Sequence, residues 1–166
     1  MAQRAGVAKG TIYLYFRDKD ALFEELIRSV LMPIVGALEV ALRDDRPVRQ
    51  IAEAAVDVFV KEIYGTRRKD VVRLMISEGG RFPKLAEFYY REVLARLFAA
   101  VQALLRRAAK RGELRNTSVV EFPQLLGAPA IVGIIWSGLF DRYEPLDVRG
   151  FLLAQLDLIF TDPGRP

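Results

Sequence analysis

Lys9, Gly10, Thr11, Tyr13 and Tyr15 fall in one short stretch near the start of the chain. They offer a cation, a hydroxyl and two phenols, which are the groups that hydrogen-bond phosphate oxygens and so position a protein on nucleic acid. Other chemistries are poorly supplied. The 166 residues contain no cysteine and no histidine, which removes the thiolate, the commonest metal ligand and the commonest general base. Ser29, Ser77, Ser118 and Ser137 therefore have no imidazole to activate them. There is no phosphate-cradling glycine loop and no HExxH pattern. The acidic pairs Glu24-Glu25 and Asp44-Asp45 are adjacent residues, which diverge by about 100° on a helix, so they read as solvated faces or helix ends. No catalysis, no metal site and no cofactor are expected.

The elements that would position the basic stretch are legible around it. Ala2, Arg4 and Ala5 suit a short helical piece, and Gly6 allows the positive φ of a sharp helix-to-helix turn. Val7 plugs the angle. Lys9 to Phe16 form a second short helix, with Ile12 and Phe16, four apart, as its inward face. Asp18 then offers an N-cap and Asp20 a first-turn acid. Leu22, Leu26, Ile27 and Leu31 recur at helical spacing along a long third element.

Gly6, Val7, Lys9, Gly10, Thr11, Tyr13, Phe16, Lys19, Leu22 and Phe23 together closely resemble the second half of the helix-turn-helix domain of the TetR (tetracycline-repressor) family of bacterial transcription regulators. The resemblance covers roughly residues 2–31. It implies that the helix holding Lys9 to Phe16 enters the major groove and that Lys19 touches phosphate at the start of the next helix. Lys9, Gly10, Thr11, Tyr13, Tyr15 and Lys19 are thus the implied DNA-contacting residues. Leu14 is apolar at a position that often varies with the operator, and no base contact is expected there. Family members carry a further helix and the start of the next before the position of Ala2. The resemblance therefore implies a partial headpiece, expected by itself to bind operator weakly and with strong salt dependence.

Hydrophobic residues make up 52% of the chain, enough for a large core, and the net charge is only +4. A local patch must then carry any DNA binding. The opening MAQRAGVAKG has no apolar signal region, and a cytoplasmic protein is expected. Beyond the headpiece the pattern is all-α. The helix from Asp18 is expected to reach about Arg43, with Pro33 as a kink. Pro47 suits a helix N1 position ahead of the stripe Ile51, Ala55, Val58, Phe59 and Ile63. A shorter helix carries Val71 to Ile76 as far as Gly79-Gly80. Pro83 opens the longest uninterrupted pattern, from Lys84 to about Lys110, which Gly112 closes.

Ser118 and Glu121 form a capping-box signature ahead of Phe122 to Phe140, a run without a single charge. Such a run is formally long enough for a membrane. Pro123, Gln124 and Pro129 within it favour instead a helix buried between its own domain and a partner subunit, and Ala130, Gly133 and Ser137 share a face small enough for close helix approach. The final helix, about Asp147 to Phe160, has apolar residues beyond one stripe. Both features suggest a homodimer through residues 119–140 and 147–160, and the resemblance implies the same, a four-helix bundle made by the last two helices of each subunit.

The expected organisation is a partial helix-turn-helix headpiece with the start of a connecting helix, residues 1–31, and a helical regulatory domain, residues 32–166. TetR-like proteins enclose an effector cavity between helices. Phe59, Tyr64, Met75, Tyr89, Tyr90 and Trp136 are the implied candidates to line it, although residue by residue plain core is the better reading, the phenols of Tyr64, Tyr89 and Tyr90 being the exceptions. With no internal carboxylate or histidine cluster, the expected effector is an apolar or aromatic small molecule. The function implied is ligand-responsive transcriptional control, most often repression, with operator DNA as partner. The alternative is a helical ligand-binding dimer without DNA activity.

Overall fold

The computed structural model describes residues 19–161. Lys9, Gly10, Thr11, Tyr13 and Tyr15 lie outside the described residues, as does the side chain of Lys19. Among the described residues the fold is all-α. Helix α1 spans Lys19–Ala41, with Pro33 inside it, and runs unbroken through residue 31. Its end is held by tightening i→i+3 bonds from Leu42 and Arg43 to Glu39 and Val40. Asp44 then accepts from the Arg46 backbone N–H at 3.0 Å, a turn that stops the helix.

Helix α2, Val48–Phe59, begins one residue later than the N1 reading of Pro47 predicts. Pro47 is the N-cap, extended at ψ 136°. The reason is remote: the Glu113 carboxylate accepts from Val48 N–H at 2.7 Å, satisfying an orphan donor and placing negative charge at the helix N-terminus. Val60–Tyr64 continues α2 as a π-turn. Helix α3, Arg68–Glu78, passes into the 3₁₀ turn Gly79–Arg81 instead of stopping at the glycines.

The long helix expected from Pro83 to Lys110 is continuous but not uniform. Helix α4, Pro83–Tyr89, and helix α5, Ala95–Lys110, are joined by a second π-turn, Tyr90–Leu94. A π-turn holds an extra residue and so rotates the helical faces on its two sides relative to one another. Gly112, at φ +69°, closes α5, and Glu113 N–H reaches back to Ala108 O at 2.9 Å, the left-handed C-terminal closure that glycine permits.

Helix α6 is only Ser118–Glu121. The capping box does not form. Asn116 Oδ1 accepts from Ser118 N–H at 2.8 Å in its place, and the residue at the cap is Thr117. Helix α7 spans Gln124–Leu139 and helix α8 spans Val148–Ile159. Asp147 caps α8 by accepting from Gly150 N–H at 3.0 Å. The close approach foreseen for the small face of α7 occurs at Gly133, where an added Cβ would sit 3.2 Å from both Val148 methyl carbons.

Two hydrophobic cores result. One joins α2, α5, α6 and α8 through Val48, Ile51, Leu105, Ala108, Leu152, Leu156 and Phe160. The other joins α1, α3, α4 and part of α7 through Ile27, Leu31, Val35, Leu85, Phe88 and Ile134. Among the described residues, no helix is long and apolar enough to cross a membrane.

Candidate functional site

Between the two cores lies a cavity of about 1100 Å³, at the upper end of small-molecule sites, which run to about 1,000 Å³. Both cores contribute walls. Leu31, Val35, Ile63, Val72, Met75 and Ile134 come from the α1-side core, and Val48, Ile51, Leu104, Leu105, Leu152 and Leu156 from the α8-side core. The α5 face adds Leu97, Phe98 and Val101. Val58, Ile76 and Ile131 line the cavity yet stay 43%, 51% and 40% exposed, so it is open on the side where α2, α3 and α7 meet. The exposure of Val58, a member of the predicted inward stripe, has this cause.

Both π-turns border the space. Phe59 precedes the first and Ile63 lies in it; Tyr89 precedes the second, and Val93 and Leu94 lie in it. Such turns are over-represented at functional sites because they break the regular helix ladder.

The lining is almost free of polarity. Among the described residues, the side chains in it able to hydrogen-bond are Arg46, Tyr89 and Gln124. Arg46 is at the edge and already partnered: its Nε and Nη2 donate to the Asp44 carboxylate at 2.9 and 2.7 Å. That guanidinium holds the Asp44 carboxyl below the usual carboxylate range. Gln124 is exposed at the start of α7. Tyr89 is half-buried against the α1-side core. Burial raises its phenol above the ordinary tyrosine value.

Of the aromatic and methionine candidates, Phe59, Met75 and Tyr89 line the cavity and the others do not. Tyr90 is 62% exposed, since adjacent helical residues diverge by about 100° and Tyr89 takes the inward side. Trp136 stacks edge-on against Phe140, with centroids 5.2 Å apart, and donates Nε1–H to Glu144 O at 2.7 Å. It braces the end of α7. Tyr64 lies under the Lys69 ammonium, 4.7 Å from the ring centroid. Burial raises its phenol foremost, the Asp141 charge adds to this, and the nearby Ser137 hydroxyl opposes it. Leu97, Val101, Arg46 and Ile131 are cavity residues that their sequence pattern does not distinguish from core or surface.

Helix α1, which comes directly after the basic stretch, is fastened to the long helix by specific contacts. The Arg96 guanidinium pairs with the Glu39 carboxylate through bonds of 2.7 to 3.0 Å. Arg28 lies 4.7 Å from the Phe88 ring centroid, and Arg107 Nη1 donates to Leu42 O at 3.2 Å. The cavity-lining turn Tyr90–Leu94 sits between the first two fastenings.

The outer arc of α7 is apolar as well. Leu125, Ile135 and Leu139 are 49%, 37% and 59% exposed, and Val132, which also borders the cavity, is 45% exposed; the four recur at heptad-like spacing. On α8, Phe151 and Leu158 are also exposed.

Among the described residues the body is all-α and hollow between two cores, and it begins with a helix that follows a basic stretch of the sequence. Comparison with known proteins gives the family. Residues 42–141 match the Tetracyclin repressor-like, C-terminal domain, and residues 1–26 match the bacterial regulatory proteins of the tetR family. The chain belongs to the TetR family of DNA-binding transcriptional regulators.

It is 23% identical to the HTH-type transcriptional regulator SrpR of Pseudomonas putida over 170 aligned positions, covering 99% of this chain and 76% of that protein. It is 29% identical over 122 positions to the HTH-type transcriptional repressor BepR of Brucella suis biovar 1, covering 68% of this chain and 56% of that one. A solved structure assigned to the TetR-family regulators, from Mesorhizobium loti MAFF303099, shares the fold at a TM-score of 0.62 and 20% identity, over 93% of this chain and 80% of that chain. These homologues are transcriptional regulators, not enzymes.

Proposed function

We propose that the chain is a ligand-responsive repressor whose effector, an apolar or aromatic small molecule, binds in the cavity between the two cores. The observation that carries this reading is the cavity itself, about 1100 Å³ in volume and walled on one side by α1, the helix that continues from the family's DNA-binding region. A ligand wedged between the cores favours one spacing of α1 from α5 over another, and only such differential binding shifts an equilibrium. Moving α1 changes the separation of the two recognition stretches in a dimer. Lys9, Gly10, Thr11, Tyr13, Tyr15 and Lys19 are the proposed DNA contacts, residues 1–31 the headpiece with the start of the connecting helix, and residues 32–166 the regulatory domain.

The proposed dimer forms through residues 119–140 and 147–160. The exposed stripe of Leu125, Val132, Ile135 and Leu139 supports it, since contiguous apolar surface of this kind marks an interaction site. Sedimentation at micromolar concentration should give twice 18.8 kDa. A monomer would remove the interface.

The direct experiment first selects DNA fragments with the full chain from a genomic library, then measures their affinity with and without apolar ligands. A bound ligand should weaken DNA binding about 5- to 150-fold, the usual range of allosteric coupling. Equal DNA affinity with the cavity filled and empty would overturn the reading.

A further inference from the structure

We infer that the ligand of the cavity is an uncharged, mostly hydrocarbon molecule bearing one hydrogen-bonding group, and that the Tyr89 hydroxyl selects for that group. This rests on the reading of the cavity as the effector site.

Charge is excluded by what the walls lack. An ion taken into such a space loses its hydration and must find a counter-charge or forfeit several kcal/mol. Arg46 is the charged residue in the described lining, and Asp44 already neutralises it. Buried guanidinium nitrogens without a partner do exist at Arg107, and an unpartnered carboxylate oxygen at Asp141. Neither residue belongs to the lining, so neither is offered to a ligand.

The polar preference comes from Tyr89. Gln124 and Arg46 are at the rim, where water serves them. Tyr89 instead packs on the α1-side core, and among the described residues its hydroxyl has no hydrogen-bond partner. A ligand that displaces water from this hydroxyl incurs a desolvation cost, which a carbonyl or hydroxyl on the ligand removes. A pure hydrocarbon leaves that cost in place. Tyr89 also immediately precedes the π-turn Tyr90–Leu94, so the bond would form beside the segment that links the Phe88 and Arg96 fastenings to α1.

The test uses the full chain and the fluorescent hydrocarbon 1,6-diphenylhexatriene, which cannot hydrogen-bond. Displacement of this probe is titrated with 1-dodecanol, dodecanoate and dodecyltrimethylammonium, for the wild type and for Tyr89→Phe, which keeps the ring. The wild type should bind dodecanol at least about tenfold more tightly than either ion. In Tyr89→Phe the affinity for dodecanol should fall about fivefold, the worth of one neutral hydrogen bond, while the hydrocarbon probe binds as before. Dodecanoate competing as well as dodecanol would assign the head group to Arg46 and overturn the inference. So would an unchanged dodecanol affinity in Tyr89→Phe; in both cases the cavity reading survives. Failure of the hydrocarbon probe to bind the wild type would instead remove the cavity reading, and this inference with it.

Discussion

The two cores are built from the same kinds of side chain, yet they are closed in different ways. Around Phe160 backbone pairing adds to side-chain ion pairs such as Arg49 with Asp157 and Arg149 with Asp57. Leu114 and Phe160 pair as an isolated antiparallel bridge, Arg115 N–H donates to Ile159 O and Thr161 N–H to Glu113 O, both at 2.9 Å, and Glu113 caps α2. Around Ile27 and Phe88 the closure rests on side chains, through Arg28 over Phe88 and Glu39 with Arg96. Backbone bonds fix a spacing. Partly exposed ion pairs are worth about a kcal/mol or less and can re-form at a new one. Under the proposed function, the α8-side core is the base, and the α1-side core is the part a ligand would displace.

Phe160→Ala should break the base most severely. Phe160 is fully buried and lies outside the cavity lining, so its loss should cost about 3 to 5 kcal/mol in denaturant unfolding, without changing ligand preference. Gly133→Ala pushes a methyl against Val148 and should cost about 1 to 3 kcal/mol by overpacking, seen as a lower thermal midpoint. Leu97→Ala sharpens the contrast. Leu97 faces existing empty space, so the loss should be smaller than the roughly 2 to 5 kcal/mol typical of packed leucine, while affinity for an apolar probe falls. Smallest in stability is Arg96→Gln, under about 1 kcal/mol. Its effect should appear instead in the ligand's power to weaken DNA binding, measured by titration of the wild type and the variant.

Much of the fold is legible in the sequence, and the limits have physical causes. Helical spacing in Ile51 to Ile63 and Leu85 to Leu105 locates the helices, and the run from Gly6 to Phe23 carries the family. Periodicity reports which face is apolar, not whether that face meets side chains or a void. Leu97 and Val101 therefore look like core. The π-turn at Tyr90–Leu94 is equally silent, since one extra residue in a turn leaves no compositional mark. The cap on Val48 comes from Glu113, a separation no local signature spans. Tyr89 is visible as an aromatic that needs a partner, but its want of one is a fact of the packing.

Hydrogen exchange of the full chain, with and without 1-dodecanol at a concentration that displaces the hydrocarbon probe, tests the division of labour most directly. Slower exchange in α1 and in Tyr90–Leu94, with α8 and the segment around Phe160 unchanged, is the predicted result. A change of equal size in both cores, a change confined to α8, or none at all would contradict it.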